Sequence, residues 1–364
     1  MSNPPNDPLL NISINTFAKK LRSGDITSEQ VVKSYLQRIK VLNDKLHAFI
    51  FIDEKKAIDN AIAIDKLINS GVDLGPLMGL PVAIKDICSV NGMPTTNGSI
   101  VESDDLTGKE GKLVKRLKEL GCVIIGKTHT VEFALGATGL NKHRGTPWNP
   151  WDLKTHRIPG GSSSGSAVAI ASGLVPFAIG TDTGGSVRIP ASLTGIAGLK
   201  TTKDVWPTDG IFPLSPTLDT PGPLARSFED IKTIFETYGS GLTKNLDPIS
   251  IGTLKFGKLG KPFTDDLDAE VQFAFEKICE QLKEKGAQLI EVDVPEASER
   301  VNLFPPIVGS EIVCAFGEKR FLNNCDNMDP VTAKRAKVGL DVKSIDYLKL
   351  KNRLKELEIM ASSF

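Results

Sequence analysis

Apolar residues recur along this chain in two registers. After Thr27-Ser28-Glu29, which can cap a helix, Val31, Val32, Tyr35, Leu36 and Ile39 fall on one helical face within a segment, 11–42, that alternates turn signals with helical spacing. A second helical pattern covers about 54–70, and a third covers 109–120 and stops at Gly121. Between them the register changes. Leu80–Ile87 is an apolar run broken by a single lysine, and Cys122–Ile125 is another; both are short and read as buried strands. Ser164–Ser172 reads as a helix of small residues closed by Gly173, Val175–Ile179 as a strand, and Pro190 as the first residue of the next helix. Ile249–Leu254 and Gln288–Val294 read as strands around an amphipathic helix at 266–286, and 329–364 is charged with a helical pattern. This alternation predicts an α/β fold with a mixed, mostly parallel central sheet covered by helices on both faces.

Composition narrows the function. Lys+Arg and Asp+Glu are 44 each, so the 364 residues carry no net charge, and no basic excess is present to hold a nucleic-acid backbone. The five cysteines are scattered without a C-x-x-C pair, which predicts reduced thiols in a cytoplasmic protein and neither a disulfide frame nor a zinc site. The opening MSNPPNDPLL has no basic start and no apolar core, so no signal peptide is expected. The longest apolar stretch, Ala167–Gly180, is too short to span a membrane and is broken by Gly173 and Pro176. All four histidines lie within the first 156 residues.

Four motifs carry candidate chemistry. Gly121–Thr128 fits the phosphate-loop spacing G-x-x-x-x-G-K-T. Its inner residues, Cys-Val-Ile-Ile, are the strand itself, and no helix pattern follows, so a strand ending in a turn is the better reading. Gly161-Ser-Ser163-Ser-Gly165 fits the G-x-S-x-G elbow. That motif needs a preceding strand and a later histidine, and no histidine follows residue 156. A lysine held neutral by burial can replace histidine as the base. Lys85 lies inside an apolar strand, where it either reaches solvent or pairs with Asp86, or serves as such a base; Lys200 is a weaker case. Finally, Gly180-Thr-Asp-Thr-Gly-Gly-Ser186 either forms a plain glycine turn with a capping serine or gathers backbone N–H groups around an anion.

Residues 160–198 hold nine of the 33 glycines and seven serines, yet are rich in Ala, Val and Ile, which marks tight packing and not a linker. The run Gly160–Thr201, GGSSSGSAVAIASGLVPFAIGTDTGGSVRIPASLTGIAGLKT, closely resembles the signature of the amidase signature family, serine hydrolases of amides with a Ser–Ser–Lys triad. Gly79–Cys88, Gly92–Ile100, Gly126–Ala137 and Phe212–Ser227 resemble further family segments, so that the likeness is strong over about 10–235.

The resemblance implies that Ser186 is the nucleophile, that Ser162, 24 residues earlier, is the bridging serine held by a cis peptide, and that Lys85 is the base. It also implies an oxyanion hole lined by the N–H groups of Thr183, Gly184, Gly185 and Ser186. One departure is Ser164, where the family often has glycine. The implied protein is a single amidase domain over 1–364 with a signature core at about 75–235 and a segment 240–364 packing on or inserting into it; family members generally run on past Phe364, so the domain is expected to be incomplete. No cofactor and no metal are implied. The expected substrate is a small carboxamide, with no nucleic acid, no membrane and a homodimer as the compatible assembly. Two alternatives stand beside it: a glutamine-hydrolysing A subunit of a tRNA-dependent amidotransferase, from which the segment 137–146 differs, and a truncated, inactive amidase-like binding protein.

Overall fold

The computed structural model describes residues 4–239 and 249–362. The expectation that the domain is incomplete rests on the end of the chain, of which Ser363 and Phe364 lie outside the described residues. The chain forms two compact units, Met1–Leu242 with Val308–Asp341, and Thr243–Ile307 with Val342–Phe364.

The first unit begins with helices α1 (Ile14–Ser23) and α2 (Ser28–Leu46). Thr27 and Gln30 close a reciprocal capping box at the start of α2, satisfying two N–H groups that a helix end leaves open. The five residues that share the expected apolar face, Val31 to Ile39, are all buried. Strand β1 (Phe49–Ile52), α3 (Glu54–Asn69), β2 (Pro81–Lys85), α4 (Asp104–Thr107), α5 (Lys112–Glu119) and β3 (Val123–Thr128) follow. After them come α6 (Ser164–Ala171), β4 (Phe177–Asp182), α7 (Arg188–Thr194), β5 (Ala197–Gly198), β6 (Thr220–Ala225) and α8 (Phe228–Tyr238).

The six strands make one sheet in the order β1-β3-β2-β4-β6-β5. Its centre, β3-β2-β4, is parallel; β1, β6 and β5 pair antiparallel with their neighbours. Because β5 reverses the reversal of β6, four of the six strands run the same way, as expected from the alternating pattern. Every residue of β2, β3 and β4 is buried, which explains why each of these strands opens as an apolar run. Helix α6 is buried on every side except its last residue. Gly165 makes this possible, since a Cβ there would stand 2.3 Å from the Ala48 carbonyl oxygen.

Some boundaries differ from the sequence reading. β3 continues through Gly126-Lys127-Thr128, so the phosphate-loop letters are strand residues. α5 starts at Lys112, whose free N–H is taken by Asp209 Oδ2 at 2.9 Å. Pro190 is the third residue of α7 and not the first; it is still in the first turn, where no intrahelical acceptor awaits its missing N–H.

The first unit also contains the second half of α10 (Arg300–Phe316), then α11 (Glu318–Asn324) and α12 (Pro330–Lys337). The second unit contains β7 (Lys255–Leu259), α9 (Ala269–Glu284), β8 (Gln288–Val292), the first half of α10 and α13 (Ser344–Ala361). β7 and β8 pair in parallel from Lys255↔Gln288 to Leu259↔Val292. The strand expected at Ile249–Leu254 begins later, at Lys255: Ile251–Thr253 closes as a 3₁₀ turn, with Leu254 N–H bonded to the Ile251 carbonyl. Within this unit Arg353 of α13 grips both oxygens of Glu299.

Candidate active site

Lys85 is the last residue of β2, and Thr181 and Asp182 end the neighbouring strand β4. The carboxyl ends of adjacent parallel strands are where side chains of an α/β sheet can converge beyond its edge. Lys85 is completely buried there. Its Nζ lies 2.7 Å from Ser162 Oγ and 2.8 Å from Thr181 Oγ1. Burial pulls the lysine down from its ordinary 10.5 to about 7, against the opposing pull of Cys88, Asp182 and Asp219. A lysine in this state exchanges its proton near neutral pH.

Ser162 precedes α6, follows a cis Gly161–Ser162 peptide and is wholly buried. Its segment is fastened on both sides. Gly161 N–H donates to the Ala137 carbonyl at 2.7 Å, and the Ser162 carbonyl accepts from Val131 N–H at 3.3 Å. Ser163 N–H donates to the carbonyl of Ser186 at 3.1 Å, which joins the two serine segments through the backbone. The Ser163 hydroxyl bridges the N–H and carbonyl of Thr181, each at 3.2 Å, and so steadies the residue that faces Lys85.

Ser186 lies in the turn between β4 and α7. That turn is wrapped around the Asp182 carboxylate. Oδ1 accepts from Gly185 N–H at 2.7 Å, Oδ2 from Val187 N–H at 3.1 Å, and Arg188 pairs with both oxygens at 3.0 and 2.9 Å. Burial alone would raise the pKa of Asp182; Arg188 and these N–H groups outweigh it and hold it below the ordinary range. Gly185 has φ +123°, and a Cβ would come within 2.6 Å of Ile189.

Four residues were expected to line an oxyanion hole. Of these, the N–H of Gly185 is bonded to Asp182 Oδ1. Among the described residues, the N–H groups of Thr183, Gly184 and Ser186 have no protein acceptor. Ser164, the departure from the family letters, is buried in the first turn of α6.

The other candidates lie elsewhere. Asp86 pairs with Lys127, not with Lys85, at 2.9 Å, and both are buried. Lys200 Nζ bonds to the neighbouring Thr201 carbonyl. No histidine is bonded to either serine among the described residues. His129 is buried beside His47, and its pKa is driven down to about 4, chiefly by burial. Among the described residues, no group of three or more His, Cys, Asp and Glu side chains could hold a metal ion, and no helix is long and apolar enough to cross a membrane. The sequence reading missed the supporting roles of Thr181, Ser163 and Asp182. All three lie inside the glycine-serine run, but their letters alone do not say which way they face.

The family model described as Amidase matches residues 30–343. The chain belongs to the amidase family. This amidase is 39% identical over 345 residues to the 2-amino-5-chloromuconic acid deaminase of Comamonas testosteroni, covering 93% of the chain and 74% of that relative. To the A subunit of the glutamyl-tRNA(Gln) amidotransferase of Streptomyces avermitilis it is 35% identical over 327 residues, covering 86% of the chain and 64% of that relative. A crystal structure of an amidase superposes with a TM-score of 0.87 at 31% identity, covering 95% of this chain and 78% of that one. The chain therefore has the mixed α/β fold and the amide-hydrolase class of the amidase family. It spans roughly two thirds to three quarters of the length of these curated relatives.

Proposed function

We propose that this amidase hydrolyses a small carboxamide to an acid and ammonia or an amine through an acyl-enzyme on Ser186. Neutral Lys85 takes the proton of Ser162, Ser162 takes that of Ser186, and Ser186 Oγ forms a bond to the amide carbon. The negative oxygen is received by the N–H groups of Thr183, Gly184 and Ser186. The proton returns through Ser162 to the nitrogen as the C–N bond breaks. Water then enters by the same relay, the acid leaves and Ser186 recovers its proton.

The observation that carries this reading is the buried Lys85–Ser162 pair, 2.7 Å apart, with the lysine brought to about 7. A lysine that stayed charged could not act as a base; one that loses its proton near neutrality can. The family lends the amide class, and the zero net charge of the chain supports a small, uncharged or weakly charged amide; one relative is instead named for a chlorinated amino dicarboxylic acid. We place the enzyme in the cytoplasm, on the strength of five cysteines that are all free. A homodimer is the proposed assembly, which light scattering checks.

The test is a fluorophosphonate serine probe combined with a panel of simple amides. Labelling at Ser186, lost in Ser186→Ala, with turnover of at least one amide, is expected. A folded, unlabelled and inactive wild-type protein would instead favour an amidase-like binding protein. The 35% identity to amidotransferase A subunits supports a second reading, glutamine hydrolysis that supplies ammonia to partner subunits. Co-purification with two partners and glutaminase activity would establish it.

A further inference from the structure

Two buried carboxylates stand outside the triad, in a run that begins at the catalytic turn. Thr183 Oγ1 donates to Asp219 Oδ1 at 2.5 Å. The other oxygen of Asp219 accepts from Ser215 N–H at 2.8 Å, closing the turn Ser215–Asp219. Leu218 and Asp219 N–H both bond back to the Ser215 carbonyl, so the turn is wound tightly. Glu311, on the half of α10 that belongs to the same unit, holds this turn from the other side. It accepts from the hydroxyls of Ser215 and Thr217 and from Thr217 N–H at 3.2 Å. Both carboxylates are more than nine-tenths buried.

Burying two acids close together is costly unless each gains something specific. Burial pushes Asp219 up to about 6 and Glu311 adds to the rise, while Thr183, Ser215 and Lys85 oppose it. A neutral side chain of the same size would fill this space at less cost. What only an acceptor can do here is hold both Ser215 N–H and the Thr183 hydroxyl, and Thr183 supplies one of the three N–H groups that face no protein acceptor.

We propose that Asp219 and Glu311 are positioning residues for the oxyanion hole. Glu311 fixes the Ser215–Asp219 turn, Asp219 fixes Thr183, and Thr183 keeps its own N–H and that of Gly184 aimed at the carbonyl oxygen of the substrate. This rests on the acyl-transfer reading above and extends it. The relay touches no reacting atom. It acts through Thr183 alone, so it alters how well developing charge is received and leaves ground-state binding nearly unchanged.

The test uses the full chain as wild type, Thr183→Val, Thr183→Ser, Asp219→Asn, Glu311→Gln and the double variant Thr183→Val/Asp219→Asn, with two readouts. The first is amide hydrogen exchange in the peptide spanning 183–186, which needs no catalysis. Exchange about 10-fold faster in Thr183→Val and Asp219→Asn is expected, with Thr183→Ser at the wild-type rate. The second is steady-state kinetics on an amide that the wild type turns over. kcat falls roughly 10- to 100-fold in Thr183→Val and Asp219→Asn with KM little changed. The double variant is no worse than the poorer single one, because both act on the same hydrogen bond: asparagine has one acceptor oxygen for the two donors, the Thr183 hydroxyl and Ser215 N–H, that Asp219 holds. Thr183→Ser, which keeps the hydroxyl, loses far less than Thr183→Val, and Glu311→Gln shows a smaller loss of the same kind. Unchanged exchange in Thr183→Val, losses confined to KM, or losses that multiply in the double variant would overturn the relay. Should Asp219→Asn fail to fold, Thr183→Val and Thr183→Ser decide alone, since Thr183 is only half-buried. A wild type inactive on every amide would overturn the acyl-transfer reading, while the exchange data still decide the relay.

Discussion

Lys85 Nζ and Ser162 Oγ stand 2.7 Å apart at the end of a central strand, and both residues are completely buried. Seventy-seven positions of sequence separate them. The pair holds a lysine where an ammonium ion is poorly solvated, next to a hydroxyl that can hand it a proton. The remaining Lys85 contacts, to Thr181 Oγ1 and the Thr181 carbonyl, are acceptors. In the neutral amine they take up its N–H bonds and leave the lone pair for Ser162.

The pH profile of kcat/KM should therefore rise through an apparent pKa of about 7. Lys85→Met should remove activity and, with it, one pH-dependent part of stability. The lysine is held below its ordinary 10.5 in the folded state, so between about 7 and 10.5 the unfolded chain binds more protons and stability increases with pH. Urea titrations at pH 7 and pH 9 check this: the gain on raising the pH should be smaller in Lys85→Met. An equal gain in both proteins would mean that the lysine is charged in the folded state after all.

Asp182→Asn should loosen the nucleophile turn without touching Ser186 itself. Asparagine cannot accept all the N–H groups that Asp182 now gathers, and Arg188 loses its ion pair. Fluorophosphonate labelling of Ser186 should slow by about 10-fold or more. Because Asp182 is held below the ordinary carboxylate range, its contribution to stability is present above the unfolded pKa and lost as pH falls through the folded one. Acid unfolding of the variant should therefore be less steep than that of the wild type.

Gly165→Ala probes the packing behind Ser162. A methyl group at this position would meet Ala48 O at 2.3 Å and His129 N at 2.4 Å, both backbone atoms that cannot swing aside. A loss of about 1–3 kcal/mol in chemical denaturation is expected. A variant as stable as the wild type would mean that α6 can shift away from β3.

Lys127→Met leaves Asp86 buried without its cation. Breaking a buried pair on one side costs about 3–5 kcal/mol, while replacing both partners by apolar groups costs far less. Lys127→Met should thus be much less stable than the double variant Lys127→Met/Asp86→Leu, measured by urea unfolding. The same lysine is the phosphate-loop letter of the sequence. Since it is tied to Asp86, Pro94 and Thr95, nucleotide titration should give no rise in melting temperature.

Much of the fold was legible because burial leaves a trace in composition. β2, β3 and β4 read as apolar runs, and α2 announced itself through its capping segment Thr27-Ser28-Glu29 and its apolar face. Boundaries were less legible. The strand expected at Ile249–Leu254 starts at Lys255, because register with β8, and not local apolarity, decides where a ladder begins.

By itself, the sequence determined the strand-helix alternation, the absence of a downstream histidine and the glycine-serine run that resembles an amidase signature. These are local properties: periodicity, residue type and spacing survive in a linear string. It also left Lys85 open between a partner of Asp86 and a catalytic base. Only the tertiary structure decided that. Asp86 is bonded to Lys127 from the neighbouring strand, and Lys85 is left to Ser162 and Thr181. The same holds for Gly185, whose N–H belongs to Asp182, and for Glu311, which reaches the Ser215 turn from 96 residues away. A hydrogen bond is made between positions in space, and a protonation state is set by the solvent a group has lost. Neither is recorded in the order of residues until the chain has packed.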